Sequence, residues 1–434
     1  MEVLLTMGIM LTLIILFLGL GVWVFLGLFM VGMSSLFFIG DFPLDKIGLI
    51  ARTVVWRSGS AWELSAIPLF IWMGEIIFRT DISDRLFRGL SPFVQWMPGR
   101  LLHTNILGCT LFAAVSGSTS ATTATVGKIT TTALAERNYS NSLSVGSLAG
   151  AGSLGLLIPP SIVMIIYGVL AEVSIAKLFA AGIIPGLLVA FVYSMYIIIR
   201  CIIDPSLAPR STEKLYFADY LSALKDLLPI ITLIVLVLGG IYTGIATPSE
   251  AAAVGVASTF FLTLVMGSFS WKTVADAAMG AVKTSCMVCS ILVSAAFLST
   301  AIGYLHIPAA LVEVISSMGL TPFALLAILA LFYILLGFFL DGISIIVMSL
   351  PITLPLIIQA GFDPIWYGVF LVLMVELAQM TPPVGFNLFI LQGLTGQSIG
   401  KVVKAAFPFF VLMCLVVVIV SIFPSVVLFL PNMM

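Results

Sequence analysis

Long stretches without a single charged residue constrain this chain more than any other feature of its sequence. They cover residues 3–40, 178–199, 227–249, 251–271, 314–340 and 405–434. A helix of about 20 apolar residues crosses a bilayer, and stretches that are apolar on every face lack the alternating pattern of membrane strands. With 61% hydrophobic and only 9% charged residues, the chain is predicted to be an all-α polytopic membrane protein with about ten membrane segments.

The few basic residues predict an orientation and exclude one class of partner. The net charge is -1, and the basic residues are sparse except in two clusters: Arg79, Arg85, Arg88 and Arg100, and Arg200, Arg210, Lys214 and Lys225. By the positive-inside rule both clusters face the cytoplasm, and this charge balance argues against nucleic acid as a partner. The N-terminus has no basic region and no cleavage site, so its apolar stretch is interpreted as a retained anchor rather than a signal peptide.

A repeated landmark indicates that the chain is duplicated. The sequence has only two Pro-Pro pairs, Pro159-Pro160 and Pro382-Pro383, and they lie 223 residues apart (382 − 159). The predicted units are a first repeat at 1–202, a connecting loop at 203–226 and a second repeat at 227–434. Inverted repeats of this kind are typical of secondary transporters, which hold substrate and ions near the bilayer midplane.

Each half contains a polar segment that predicts a hairpin entering the membrane and turning back. Residues 114–127 are rich in hydroxyls and glycines but carry no charge, and they predict a hairpin at about 101–130. Asp341 occupies the matching position of a second hairpin at about 325–358. Irregular backbone at membrane depth survives only inside protein or beside a water-filled cavity. Its neutral oxygens are suitable ligands for a hard cation such as Na⁺.

The Pro-Pro pairs predict two helices that break inside the membrane, at about 141–170 and 366–395. Consecutive prolines remove two backbone donors and clash with the preceding turn. The opened turn then offers carbonyls to a cation and helix N-terminal amides to an anion. Glu376 precedes the second break at the position that matches Ser153, and it either binds an ion or substrate or pairs with a polar neighbour.

Residues 79–96 mix arginines with apolar residues at helical spacing, which predicts an arm that lies along the membrane surface. The chain has only two histidines and no Walker A loop, so haem, zinc and nucleotide chemistry are not expected. It is therefore predicted not to be an enzyme. A proton-translocating subunit of a respiratory complex is the main alternative, although such a subunit needs more ionisable groups within its helices. A channel or a structural scaffold does not explain the paired hairpins and breaks.

Several motifs together resemble one family, the large membrane subunit of tripartite ATP-independent periplasmic (TRAP) transporters. They are residues 114–122 (AVSGSTSAT), 155–161 (GLLIPPS) with Tyr167-Gly168, 181–186 (AGIIPG), 247–251 (TPSEA) and 380–385 (MTPPVG). The resemblance implies a carrier of the ion-transporter superfamily that moves an organic acid with Na⁺ by an elevator mechanism. It also implies a separate four-helix membrane subunit, a periplasmic substrate-binding protein and a location in the bacterial inner membrane, embedded in the lipid bilayer.

We place the ion sites where each hairpin tip meets the Pro-Pro break of its own half. Predicted sodium site 1 comprises Ser116, Gly117, Ser118, Gly152 and Ser153, and predicted sodium site 2 comprises Asp341, Gly342, Thr381 and Gly385. The candidate substrate-binding residues adjoin them: Thr119, Pro159, Pro160, Pro382, Pro383, Asn387 and Glu376. No cofactor is expected apart from Na⁺ as the coupling ion.

Overall fold

The fold is helical throughout the part that the computed structural model describes, which is residues 2–209, 215–382 and 385–434. These residues form twenty α-helices and four short 3-10 turns, without a strand. The helices of the first half are α1 (Glu2–Gly19), α2 (Val24–Phe38), α3 (Leu44–Gly59), α4 (Ala66–Phe78), α5 (Ile82–Val94), α6 (Leu102–Ser116), α7 (Thr119–Glu136), α8 (Asn141–Ser153), α9 (Ile162–Leu170) and α10 (Ile175–Ile203). Those of the second half are α11 (Phe217–Tyr242), α12 (Pro248–Val265), α13 (Trp271–Tyr304), α14 (Ile307–Ser317), α15 (Pro322–Leu336), α16 (Gly342–Gln359), α17 (Pro364–Gln379), α18 (Phe386–Thr395), α19 (Ile399–Ile422) and α20 (Ser425–Leu428).

Among the described residues, six helices are long and apolar enough to cross a membrane. A seventh span arises if α3 and the segment Trp62–Phe78, bent by 54° relative to each other, count as one. Five shorter apolar helices complete the set. The prediction of a polytopic all-α membrane protein is confirmed.

Several of the predicted apolar stretches are divided between helices, and residues 3–40 and 314–340 illustrate how. Residues 3–40 are interrupted between α1 and α2, where Gly21 has a φ of 75°. Residues 314–340 are interrupted before α15, where Gly319 has a φ of 62° and Thr321 caps the next helix by accepting from the Ala324 N–H at 3.3 Å. Glycine adopts positive φ without steric cost, so a chain can turn within an apolar stretch that hydropathy alone reads as continuous.

The order of helices is the same in the two halves. In each half, two helices joined by a short turn come first (α6 and α7, and again α15 and α16). A helix broken in its middle follows (α8 and α9, and again α17 and α18), and a long helix ends the series (α10, and again α19). The second set interleaves with the first, since α7 packs against α18, α8 against α19, α9 against α16 and α10 against α17. The inverted orientation of the halves and the boundaries at 202 and 227 stay predictions.

The predicted arm forms a shorter helix than its sequence suggested. The helix α5 spans Ile82–Val94 rather than 79–96, and its buried face packs against α11. Gly89 fits against α11 so closely that a Cβ there would lie 2.7 Å from Leu227 Cγ. Asp226 of α11 pairs with Arg85 at 3.9 Å and with Arg88 at 3.7 Å. Residues 217–226, predicted above as part of the connecting loop, belong to α11, and Asp226 among them supplies these ion pairs.

Candidate functional site

The first hairpin turns within two residues at its tip. The helix α6 ends at Ser116, and α7 begins at Thr119. Gly117 has a φ of 59°, the left-handed conformation that favours glycine. Ser118 caps α7 by accepting from the Ala121 N–H at 3.5 Å. A Cβ at Gly117 would lie 2.7 Å from the Pro160 carbonyl oxygen, so the tip rests directly on the first Pro-Pro break.

The first break separates α8 from α9 and is buried. After Ser153 the chain makes a 3-10 turn at Leu154–Leu156, passes through Pro159 and Pro160, and resumes as α9 at Ile162. Ser161 caps the new helix by accepting from the Met164 N–H at 3.3 Å. Prolines cannot donate to the preceding turn, which explains why the helix is interrupted here.

Predicted sodium site 1 lies where the first hairpin contacts the first broken helix, with Gly117 against Pro160 and Gly152 against Thr123. Thr119 donates its hydroxyl to the Ser153 carbonyl at 3.4 Å. A Cβ at Gly155 would lie 2.7 Å from the Ser118 carbonyl oxygen, and Gly152 faces Thr123. These contacts leave hydroxyl and carbonyl oxygens clustered in a buried, uncharged environment, which suits a hard monovalent cation. Whether the cluster binds Na⁺ stays a prediction.

The residues of predicted sodium site 2 form two groups, one at the second hairpin tip and one at the second break, and both groups contact Gln379. Asp341 caps α16 by accepting from the Ile343 N–H at 3.1 Å and from the Ser344 hydroxyl. Gly342 packs against α17 at Val375 and Gln379, about one turn before the break. Asp341 therefore caps α16 at the second tip, as Ser118 caps α7 at the first.

The second group of site 2 lies at the break itself. Thr381 donates its hydroxyl back to the Leu377 carbonyl at 2.6 Å, and its own carbonyl accepts from the Gly385 N–H at 2.9 Å. A Cβ at Gly385 would be 2.9 Å from that same Thr381 oxygen, so only glycine fits. Pro382 is exposed, and Pro383 lies outside the described residues.

Asn387 connects the second break to the first hairpin. Its side chain is fully buried in the first turn of α18, and its Oδ1 accepts from the Thr123 hydroxyl of α7 at 3.2 Å. Its Nδ2 has no hydrogen-bond partner among the described residues. Sequence reasoning proposed Asn387 but missed Thr123, although Thr123 lies one helical turn after Thr119 in the same hydroxyl-rich segment.

Glu376 is fully buried on α17, and neither of its carboxyl oxygens has a hydrogen-bond partner among the described residues. One of the two interpretations of Glu376 was that it pairs with a polar neighbour, and the described residues show no such hydrogen bond. Its polar neighbour is Tyr193 of α10, which lies within electrostatic reach and is also fully buried. Nothing in the sequence pattern singled out Tyr193, because a lone tyrosine in an apolar helix is ordinarily a packing residue.

One solved structure shares this arrangement of helices. The YdaH transporter of Alcanivorax borkumensis superposes with a TM-score of 0.62 at 14% sequence identity, covering 88% of this chain and 89% of that one. At such low identity the similarity supports the fold alone. It agrees with the all-helical fold described above.

Sequence relatives identify the family. The C4-dicarboxylate TRAP transporter large permease of Pseudomonas aeruginosa is 33% identical over 92% of this chain and 93% of its own length. The ectoine/5-hydroxyectoine TRAP large permease of Ruegeria pomeroyi is 31% identical over 86% of each chain. The isethionate TRAP permease DctMQ of Oleidesulfovibrio alaskensis is 31% identical over 95% of this chain, but over 64% of its own length.

The family model of the DctM component of the tripartite ATP-independent periplasmic transporter matches residues 9–426. That range contains both hairpins, both breaks and every candidate residue described above. The resemblance found in the sequence motifs is thereby confirmed. The chain belongs to the DctM family, whose members are the large membrane permease subunits of TRAP transporters.

Proposed function

We propose that this permease subunit moves an organic acid into the bacterial cytoplasm together with Na⁺. The observation that carries the proposal is the contact between the first hairpin tip and the first break, which brings neutral oxygens of Ser116, Ser118 and Ser153 close to one another; Ser116 and Ser153 are buried and Ser118 is half-buried. An oxygen cluster without a carboxylate favours a monovalent over a divalent cation, since it supplies no compensating charge. Sodium symport also accounts for the missing nucleotide site.

The substrate is proposed to be anionic because of what surrounds Asn387. Its unpartnered amide donor is buried, and it lies in the first turn of α18, where backbone N–H groups favour negative charge. A buried donor without a partner is costly unless a ligand satisfies it. The relatives named for C4-dicarboxylate and isethionate support an organic acid as the substrate class.

The proposal includes two partners and a location. A small four-helix membrane subunit would assemble with this one, and a periplasmic binding protein would deliver the acid to the inner membrane. The fused relative from Oleidesulfovibrio alaskensis supports the small subunit, because this chain accounts for only 64% of it.

We further propose an elevator motion, in which the interleaved helices α6–α10 and α15–α19 slide as one carrier. The packing supports a division between this carrier and the remaining helices. Outside the carrier, α5 forms ion pairs with Asp226 of α11, and α4 packs against α12 and α13. Gly74 of α4 meets the carrier at the first tip, where its Cβ would lie 3.2 Å from Ser116 Cα. Glycine at this contact places no side chain between α4 and the carrier that would obstruct sliding.

The sodium sites are tested by Ser118→Ala and Thr381→Ala. Each variant removes one oxygen, and we expect the Na⁺ concentration that gives half-maximal uptake to rise by roughly tenfold, equivalent to about 1.4 kcal/mol. The measurement is initial uptake by proteoliposomes that contain the complete complex, at varied external Na⁺.

Matched controls separate ion binding from helix capping. Ser140→Ala removes a cap of the same type, since Ser140 accepts from the Leu143 N–H at 3.4 Å. Thr395→Ala is the control for Thr381→Ala, because the Thr395 hydroxyl also donates to the carbonyl four residues earlier, that of Leu391 at 2.7 Å. Both controls should keep the wild-type Na⁺ dependence. If Ser118→Ala and Thr381→Ala also keep it, the assignment of both sites is wrong.

A further inference from the structure

A buried carboxyl group in the interleaved helices is not used by either proposed sodium site. Glu376 has no solvent-exposed surface, and both of its oxygens lack a hydrogen-bond partner within the described part of the chain. The backbone of Leu157 in the first break faces the carboxyl group, but its N–H is already donated to the Leu154 carbonyl at 3.1 Å. The group therefore lies between the two halves without a fixed partner.

The groups around Glu376 can exchange a proton but cannot compensate a charge. Tyr193 of α10 lies within electrostatic reach, and its hydroxyl has no hydrogen-bond partner among the described residues. Cys414 of α19 interacts with Tyr193 in turn. At the other end of α17, the hydroxyls of Tyr333 and Tyr367 lie 2.6 Å apart and that of Tyr167 donates to the Pro364 carbonyl at 2.5 Å. No lysine or arginine takes part in these contacts.

An unpaired carboxylate in such an environment is strongly destabilising, and a buried acid avoids that cost by binding a proton. A tyrosine hydroxyl can accept from a protonated acid or donate to a carboxylate, and Tyr193 is the hydroxyl within electrostatic reach of Glu376, although the described structure shows no hydrogen bond between them. The surroundings of Glu376 are thus compatible with both the protonated and the ionised form of its carboxyl group. A purely structural polar pair would be expected to show a hydrogen bond in place.

A second unpartnered group connects this carboxyl to the second hairpin tip. Gln379 lies three residues after Glu376 on the same face of α17, and its buried Oε1 also lacks a partner in the described structure. The Gln379 Nε2 packs against Gly342, 3.0 Å from the position that a Cβ would occupy. Asp341 beside it is exposed. A path of polar groups therefore leads from the buried acid to the proposed second sodium site.

We propose that Glu376 is a proton-binding site of the carrier, and that Na⁺ binding at the second hairpin tip releases its proton. The inference rests on the proposed sodium site at that tip. A nearby cation favours the charged form of a carboxyl group, and the effect is strong in a medium of low dielectric constant. The only bond that changes is the O–H bond of Glu376, whose proton passes to solvent water. Linkage requires the reciprocal effect, so a proton on Glu376 weakens Na⁺ binding.

Infrared difference spectroscopy tests this directly and does not depend on knowing the transported acid. The complete complex in lipid is perfused alternately with sodium chloride and choline chloride at constant pH. In the wild type, Na⁺ should remove the carbonyl band of a protonated carboxylic acid, and a pH indicator should report released protons. Glu376→Gln, nearly isosteric, should lose both signals. Tyr193→Phe should keep both signals, because the described structure shows no hydrogen bond between Tyr193 and Glu376.

A parallel thermal melt in the two salts separates this inference from the proposed function. If Na⁺ stabilises the wild type against heat but the band does not change, Na⁺ binds without proton release and the inference is overturned. It is equally overturned if Glu376→Gln retains the band. If Na⁺ neither stabilises the protein nor changes the band, the proposed sodium sites themselves have failed.

Discussion

Gly155→Ala is expected to lower sodium-driven uptake by on the order of 100-fold, because a misplacement of about 1 Å at a functional centre has effects of this size. The new Cβ would lie 2.7 Å from the Ser118 carbonyl oxygen and from the Thr119 backbone nitrogen. Backbone atoms cannot rotate away as side chains do, so the hairpin tip must move off the break. The measurement is initial uptake by proteoliposomes at saturating Na⁺ and substrate.

The matched control is Gly393→Ala, which adds the same methyl group to α18 where no atom lies within 4 Å of it. It should transport at the wild-type rate. Overpacking typically costs about 1–3 kcal/mol, so each variant is also melted in detergent to show that it is folded. A folded Gly155→Ala protein with normal uptake would mean that the contact between tip and break is not part of the transport site.

Asn387→Leu is expected to raise the KM for the organic acid by roughly 10- to 100-fold. A hydrogen bond to a charged group contributes about 1.5–3 kcal/mol, and each 1.4 kcal/mol is about a factor of ten. Leucine has a similar shape but no amide to donate to a carboxylate. The maximal rate should change much less than KM, and concentration series of uptake measure both.

Thr123→Val is the control for this variant, because it breaks the same hydrogen bond between Thr123 and Asn387 from the other side. It leaves the Asn387 Nδ2 in place, so KM should rise far less than in Asn387→Leu. Equal effects of the two variants would show that Asn387 only fastens α18 to α7 and does not bind the substrate.

The sequence predicted the local architecture of the site because its strongest signals are backbone effects. Gly117 and the Pro159-Pro160 pair act on their own segment of chain, whatever packs around them. The turn at the first tip and the interruption of the helix therefore follow from residue type and order. Helical spacing likewise predicted a helix within residues 79–96, although its ends at Ile82 and Val94 depend on contacts with α11 that the sequence does not show; its role as a surface arm stays a prediction.

The remaining features depend on which helices are neighbours. Thr123 became a candidate only because α7 packs against α18, and Tyr193 only because α10 packs against α17. The contacts of predicted sodium site 2 have a similar origin, because Gln379 touches both Gly342 of the tip and Gly385 of the break. The Asp341 carboxylate accepts from residues of its own helix, and an offset between repeats cannot show that such a group is already engaged.

The central claim is that this subunit uses a sodium gradient to move an organic acid. Its most direct test is uptake by proteoliposomes that contain the complete complex and its binding protein. The probes are labelled succinate, isethionate and ectoine, and the ion gradients are imposed one at a time. The account predicts accumulation of at least one probe that needs inward Na⁺, persists without ATP and stops when the sodium gradient is dissipated. Accumulation that follows ATP, or a proton gradient without Na⁺, would contradict it.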